Sequence, residues 1–128
     1  MMNDLFKSAL PRLLFPAGSD QFDVRTLDFE RIKAEGRQDS SAAYLFRAEE
    51  ADGCAAAVIR YAPGGAAPPH RHHGYELIYV LDGEMKTTHG VVRTNDLVLL
   101  PPGSVHASST DTGCLALIVW QRPVEKME

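Results

Sequence analysis

The chain has 128 residues, of which 45% are apolar and 23% charged, a composition typical of one globular domain with a hydrophobic core. Its net charge is -4 and its basic residues are scattered, which argues against a nucleic-acid-binding surface. No apolar run approaches the ~20 residues that a membrane span needs, and polar residues interrupt the apolar start of the chain. We therefore expect a cytoplasmic protein without a membrane segment or signal peptide.

Residues 1–20 form an N-terminal arm, and we predict that the main domain covers residues 21–128. Pro11 and Pro16 prevent a long helix in the arm. The arm nevertheless carries six large apolar side chains that need burial, namely Leu5, Phe6, Leu10, Leu13, Leu14 and Phe15. It must pack either on its own domain or on a second subunit. We predict a homodimer, with a monomer whose arm folds back as the alternative.

The sequence of the main domain predicts a series of short strands separated by turns. Residues 23–30 alternate loosely, 34–40 form a polar loop, and 42–48 and 54–62 are strand-like, with Pro63-Gly64-Gly65 ending the second of these strands. Further strands follow at residues 77–81, 84–88, 91–94 and 97–100, and residues 114–121 form the last and most apolar one. Glycine-containing turns such as Asp82-Gly83 separate them. Short strands at this spacing predict an all-β sandwich or barrel in a single domain.

Three histidines and one glutamate are the candidate metal ligands. His70 and His72 share one side of an extended segment because strand side chains alternate between faces. A turn at His73-Gly74 leads to Glu76, and His106 follows a strand and a Pro-Pro-Gly turn later in the chain. This set of ligands suits one divalent transition metal, Fe, Zn, Mn or Ni. It leaves one or two coordination positions of the metal for water or substrate.

Two other histidines are expected at the surface. His73 has the opposite parity to His72 and lies in the turn, and His89 lies in a hairpin turn with Gly90. The two cysteines, Cys54 and Cys114, each begin an apolar run, and we expect both to be buried free thiols.

Some of the residues that line the predicted pocket can be identified from the sequence. Ile78 and Val80 share the face of Glu76, which predicts an aliphatic wall beside the metal. Arg60, Tyr61 and Trp120 are further pocket candidates. For Arg60, a position on the exterior of the barrel is an equal alternative, because the register of its strand cannot be read from the sequence.

The spacing of these residues resembles that of the cupin family. Gly64, His70-x-His72, Glu76 and Gly83 reproduce its first motif, and Pro101-x-Gly103-x-x-His106 reproduces most of its second. Asn95 and Thr110 depart from the second motif, but neither is a proposed ligand. The resemblance covers roughly residues 60–120 and implies a double-stranded β-helix, the jelly-roll cupin barrel, whose metal ligands point into the barrel.

Among cupins, the chain most resembles the ChrR-type cupin domain of zinc-dependent anti-sigma factors and its stand-alone relatives. No cysteine precedes Cys54 and no histidine precedes His70, so the zinc-binding anti-sigma domain of that family is not expected here. Similar small cupins are metal-dependent dioxygenases that cleave diketones or hydroxylated aromatic ketones. The resemblance therefore implies an Fe-type dioxygenase with a small-molecule substrate. A non-catalytic zinc-binding sensor of a small ligand is the alternative, because both functions share the ligand set.

Overall fold

The computed structural model describes residues 27–33 and 36–126, so the N-terminal arm lies outside the described residues. The described part contains nine strands and one short 3-10 turn at Ala48–Glu50. The strands are β1 (Glu30–Arg31), β2 (Gln38–Phe46), β3 (Ala55–His72), β4 (Glu76–Thr87), β5 (Gly90–Arg93), β6 (Leu97–Leu100), β7 (Val105–Ser109), β8 (Cys114–Trp120) and β9 (Val124–Lys126). Within these residues no helix has the length and apolar content needed to cross a bilayer.

Strands β3 and β4 are long enough to belong to both layers of the molecule. The first half of β3 pairs with β2 and β8, whereas its second half pairs with β7 and β9. In the same way β4 pairs first with β6 and β8 and then with β5 and β7. All these pairings are antiparallel, and the two layers enclose one core. The predicted all-β jelly-roll barrel is confirmed.

A predicted strand end and a predicted turn both lie inside continuous strands. Gly64 and Gly83 have φ of +86° and +87°, yet β3 and β4 run through them without turning back. The register between β4 and β8 shifts between Val80 and Asp82, so Leu81 is the extra residue of a bulge two positions before Gly83. The prediction that Pro63-Gly64-Gly65 ends a strand and that Asp82-Gly83 is a turn was therefore wrong. Residues 124–126 also form a strand, β9, beyond the one predicted to be last.

The core is built from side chains that alternate inward along the strands. Ile59 and Tyr61 of β3, Val80 of β4 and Ile118 of β8 are all buried in it. Cys114 is buried as predicted, whereas Cys54 is only half-buried, and both are free thiols. Burial and then the neighbouring Asp82 charge raise the pKa of Cys114 to about 11, so this thiol stays protonated at neutral pH.

Candidate metal centre

Four side chains from three strands meet inside one end of the barrel. His70 and His72 close β3, Glu76 opens β4, and His106 lies on β7 directly opposite His70 in the strand register. All four point into the core and are at most 6% exposed. We call them the His/Glu cluster. Strand alternation places the two β3 histidines on one face, and the turn at residues 73–75 brings the carboxylate back beside them.

The cluster has the dimensions of a metal site. One nitrogen or oxygen of each residue lies within 4.8 Å of the corresponding atom of every other. The imidazole rings are mutually inclined rather than stacked, with centroids 4.5–5.0 Å apart. The structure thus brings together the four residues that the sequence spacing singled out, while their role as metal ligands remains a prediction.

Backbone groups orient two of the three imidazoles. His70 donates from Nδ1 to the carbonyl of Pro68 at 2.8 Å. Nδ1 of His72 lies 3.2 Å from the carbonyl oxygen of Ser104 and 3.0 Å from its hydroxyl. Both contacts assign the proton to Nδ1 and leave the Nε2 lone pair for the cluster. Histidines that bind metals are held by this kind of partner on the second nitrogen.

The buried His72–Glu76 pair tests whether a cation fits. His72 Nε2 and Glu76 Oε2 are 2.6 Å apart, but neither atom has a hydrogen-bond partner among the described residues. With the proton on Nδ1, both atoms present lone pairs to each other at close range, which is repulsive in a buried site. A proton or a metal cation that both atoms face relieves this repulsion. Nitrogen and carboxylate donors suit a divalent transition metal, so the residues present fit one.

Burial and mutual repulsion set the charge of the cluster. Burial lowers the pKa of His70, and burial followed by the charges of His70 and His72 lowers the pKa of His106 to about 3. Burial also lowers the pKa of His72, but the Glu76 carboxylate and then the Ser104 carbonyl raise it more, for a net upward shift. His70 and His106 are therefore neutral at pH 7, the state in which imidazole can bind a metal.

One small space adjoins the cluster, and two larger cavities lie near it. The space directly beside it has room for about one water molecule. An outer cavity of about 330 Å³ opens towards the surface between β2, β3 and β9, and Arg37 and Trp120 line both this cavity and the inner space. On the opposite side, His106 and Ile78 border an apolar cavity of about 230 Å³.

The predicted pocket residues divide into three groups. Tyr61, Ile78 and Trp120 line the inner space beside the cluster. Val80 lies deeper, fully buried in the hydrophobic core. Arg60 does not line the inner space: it points outward, with its guanidinium 3.9 Å from the centroid of the Phe29 ring. Its inward neighbours on β3 are buried, so strand alternation places Arg60 outside, and its assignment as a pocket residue is corrected.

The other two histidines lie at the surface, as predicted. The side chain of His73 is 50% exposed and its Nε2 is 3.4 Å from a carboxylate oxygen of Glu125. His89 is exposed in the β4–β5 turn, with Nε2 3.2 Å from the carbonyl of Val105.

Sequence reasoning missed other residues beside the cluster. Arg37, Met85, Ser108 and Ile118 also line the inner space. Ser108 and Ile118 lie on inward faces that strand alternation from His106 and Ile78 could have suggested once the register was known. Arg37 carried no such signal, because it stood in a segment that looked like a polar surface loop.

Comparisons with known proteins agree on the fold. The family model for the ChrR cupin-like domain matches residues 23–125 of the chain. No protein of curated function shows significant sequence similarity to it. The polyketide cyclase RemF from Streptomyces resistomycificus is similar in structure, with 21% identity, a TM-score of 0.70 and 86% of each chain covered.

Two further solved structures are similar over most of this chain. A putative acetylacetone dioxygenase from Methylibium petroleiphilum has a TM-score of 0.74 at 13% identity, with 91% of this chain and 86% of that one covered. The complex of SigE with the anti-sigma ChrR from Rhodobacter sphaeroides matches with a TM-score of 0.65 and 18% identity, over 77% of this chain and 52% of that one. At these identities the likenesses establish the fold alone.

Proposed function

Because the chain belongs to the ChrR cupin-like domain family, we propose that its His/Glu cluster holds one divalent transition metal and that the protein is a small Fe-type dioxygenase. Its substrate would be a diketone or a hydroxyketone-like small molecule. The observation that carries the proposal is the convergence of one nitrogen or oxygen atom from each of the four buried cluster residues, all within 4.8 Å of one another. Acetylacetone dioxygenases among the proteins of similar fold support the substrate class.

An iron ion bound in the cluster would supply Lewis acidity and the redox capacity that oxygen chemistry requires. The protein orients the histidines and excludes water. Ser104 and the Pro68 carbonyl hold the protons of His72 and His70 on Nδ1, so that both rings face the site in one tautomer. Ile78 and Ile118 exclude bulk water from the inner space. The outer cavity, about 330 Å³ in volume, is at the lower end of the range for small-molecule sites, which favours a small substrate.

One observation favours the second candidate function, a non-catalytic zinc-binding sensor. The space directly beside the cluster has room for about one water molecule, so a substrate needs side-chain movement to reach the centre. A zinc ion that only binds a small ligand, without turnover, needs less room beside the cluster than a substrate does.

Metal exchange separates these functions. We expect that chelation abolishes oxygen consumption with a panel of β-diketones and hydroxyketones, and that Fe(II) restores it whereas Mn, Ni and Zn do not. The reason is that the Ser104–His72–Glu76 contact is not arranged as a catalytic triad that could act without a metal, because His72 carries its proton on Nδ1 and the Ser104 hydroxyl donates to the carbonyl of Pro101. The measurement is oxygen uptake with an electrode, at known metal content. Turnover by the metal-free protein would refute the dioxygenase, and tight ligand binding to the zinc form without turnover would establish the sensor.

We also propose a homodimer. The arm that motivated this prediction lies outside the described residues, but an apolar patch on the outer face of the barrel supports it. Leu77 of β4 and Leu99 of β6 are partners in the strand register and are 42% and 57% exposed, and Leu97 on the same strand as Leu99 is 65% exposed. Apolar side chains grouped in this way on an outer sheet face are typical of interaction surfaces.

We expect Leu99→Asp to shift the protein from dimer to monomer, because a carboxylate would have to be desolvated in the interface. Light scattering over a concentration series measures the change in mass. Val91→Asp is the matched control, since Val91 is 41% exposed on β5, away from the patch. A Leu99→Asp protein that remains a dimer would exclude this face, and deletion of residues 1–16 then tests the arm.

A further inference from the structure

Arg37 occupies the boundary between the outer cavity and the cluster. Its side chain is half-buried and lines both the outer cavity and the inner space. His70, Glu76 and His106 of the cluster line the same inner space as Arg37. A molecule that moves from the outer cavity to the cluster must therefore pass Arg37.

Among the described residues, Arg37 has no acidic partner. The one hydrogen bond that its side chain makes within the described part of the chain is to the hydroxyl of Tyr61 at 3.4 Å, which is long for a guanidinium contact. Arg47, which lines the same outer cavity, differs: it is 2.6 Å from Glu30 and its guanidinium stacks on the Tyr44 ring at 4.4 Å. A half-buried cation without a counter-charge among residues 27–33 and 36–126 is unfavourable, so an arginine in this position suits an anionic ligand.

The remaining acidic group of the outer cavity does not fill this role. Glu49 lines the cavity but is exposed at its rim, and its charge acts on Arg47. Water and salt screen such an exposed charge. Glu76 lines the inner space but belongs to the cluster proposed to hold the metal, so among the described residues Arg37 is the cationic side chain that faces a ligand at the boundary between the two spaces.

We propose that Arg37 is the specificity-determining residue of this site and that it binds the carboxylate of a small ligand extending from the outer cavity to the His/Glu cluster. The inference rests on the proposed function and narrows its substrate class to diketones or hydroxyketones that carry a carboxylate. A guanidinium donates two parallel hydrogen bonds to a carboxylate, so this contact selects for charge and also orients the ligand. Trp120, which lines the same boundary, supplies an apolar surface for the ligand backbone.

A matched pair of probes tests the proposal. Acetylpyruvate and acetylacetone are both β-diketones, and they differ in that a carboxylate replaces one terminal methyl group. We expect the metal-loaded protein to bind acetylpyruvate more tightly in isothermal titration calorimetry. Arg37→Met should weaken acetylpyruvate binding roughly 10- to 100-fold, the range for a hydrogen bond to a charged group, and change acetylacetone binding less than about twofold. Equal losses for both probes, or no loss for acetylpyruvate, would overturn the proposal.

Two further variants distinguish selection of the ligand by Arg37 from selection by the general charge of the cavity. Arg47→Met removes a guanidinium from the same outer cavity, but one that is already paired with Glu30, and it should leave the preference between the probes unchanged. Arg37→Lys keeps the charge and should retain part of the preference. A preference lost equally in Arg47→Met and Arg37→Met would mean that the general charge of the cavity, and not Arg37, selects the ligand.

The same titrations distinguish this inference from the proposed function. If the purified protein holds no metal under any condition, the proposed dioxygenase fails, but acetylpyruvate can still be titrated into the metal-free chain. Weaker binding by Arg37→Met than by the unaltered chain would then support the carboxylate site on its own. Identical binding by the two proteins would overturn it.

Discussion

A His106→Ala variant is expected to bind its metal more than about 100-fold more weakly than the unaltered chain. Loss of the groups that merely orient metal ligands costs 10- to 100-fold in affinity, and loss of a ligand costs more. His106 is the cluster member that comes from β7, so its removal opens one side of the site. Metal content after equilibration with a competing chelator, measured by mass spectrometry, gives the ratio of affinities.

His73→Ala is the control for this result. His73 is next to a cluster residue in sequence, but it is half-exposed and faces Glu125 at the surface. Its removal should leave metal affinity unchanged within about twofold, because a surface ion pair contributes little. Comparable metal loss in both variants would contradict the assignment of the site to the inward face of β3. Thermal unfolding of each metal-free variant shows whether the barrel itself is intact.

A Gly83→Ala variant is expected to lose more than about 3 kcal/mol of its free energy of unfolding, a large part of the stability of a domain this size. A Cβ at this position would lie 2.2 Å from the carbonyl oxygen of Gly113, and the atoms that it would meet are backbone atoms of Gly113 and Cys114, which have little freedom to move. The positive φ of +87° adds roughly 1–2 kcal/mol for any residue with a side chain. Urea unfolding followed by circular dichroism measures the change, and failure to accumulate folded protein is the extreme form of the same result.

Gly103→Ala separates these two contributions. Gly103 has a similar φ of +90°, but nothing lies within 4 Å of a Cβ built there. It should lose only the conformational part, about 1–2 kcal/mol. If the two variants lose the same free energy of unfolding, β4 can move away from Gly113, and the close contact with Gly113 adds nothing to the destabilisation by Gly83→Ala.

The candidate site was predictable because its geometry is largely local. His70, His72 and Glu76 lie in one stretch of seven residues that includes a turn. Strand alternation alone decides which of their side chains share a face. The same argument placed His73 at the surface. The pairing of His70 with His106 is a long-range contact, and only the resemblance to the cupin motifs pointed to it.

The strand boundaries were less predictable. A glycine with positive φ occurs both in turns and in bulges, and the local sequence does not distinguish them. At Gly83 the outcome depends on β8, more than thirty residues later in the chain, which pairs across the bulge and keeps β4 continuous. The sequence left Arg60 open between the pocket and the exterior for a related reason, since its orientation follows from the register with β2 and β8.

The two-layer course of β3 also has a consequence for protein synthesis. Its early partner is β2, but β7, β8 and β9 all come from residues 105–126. At a synthesis rate of roughly 5–20 residues per second, β3 waits several seconds for these partners with one backbone edge unpaired. During this interval a β2–β3 hairpin is the available structure, and its open edge can pair with another nascent chain. The barrel therefore closes, and His106 joins the other three cluster residues, only after the carboxyl-terminal third of the chain has left the ribosome.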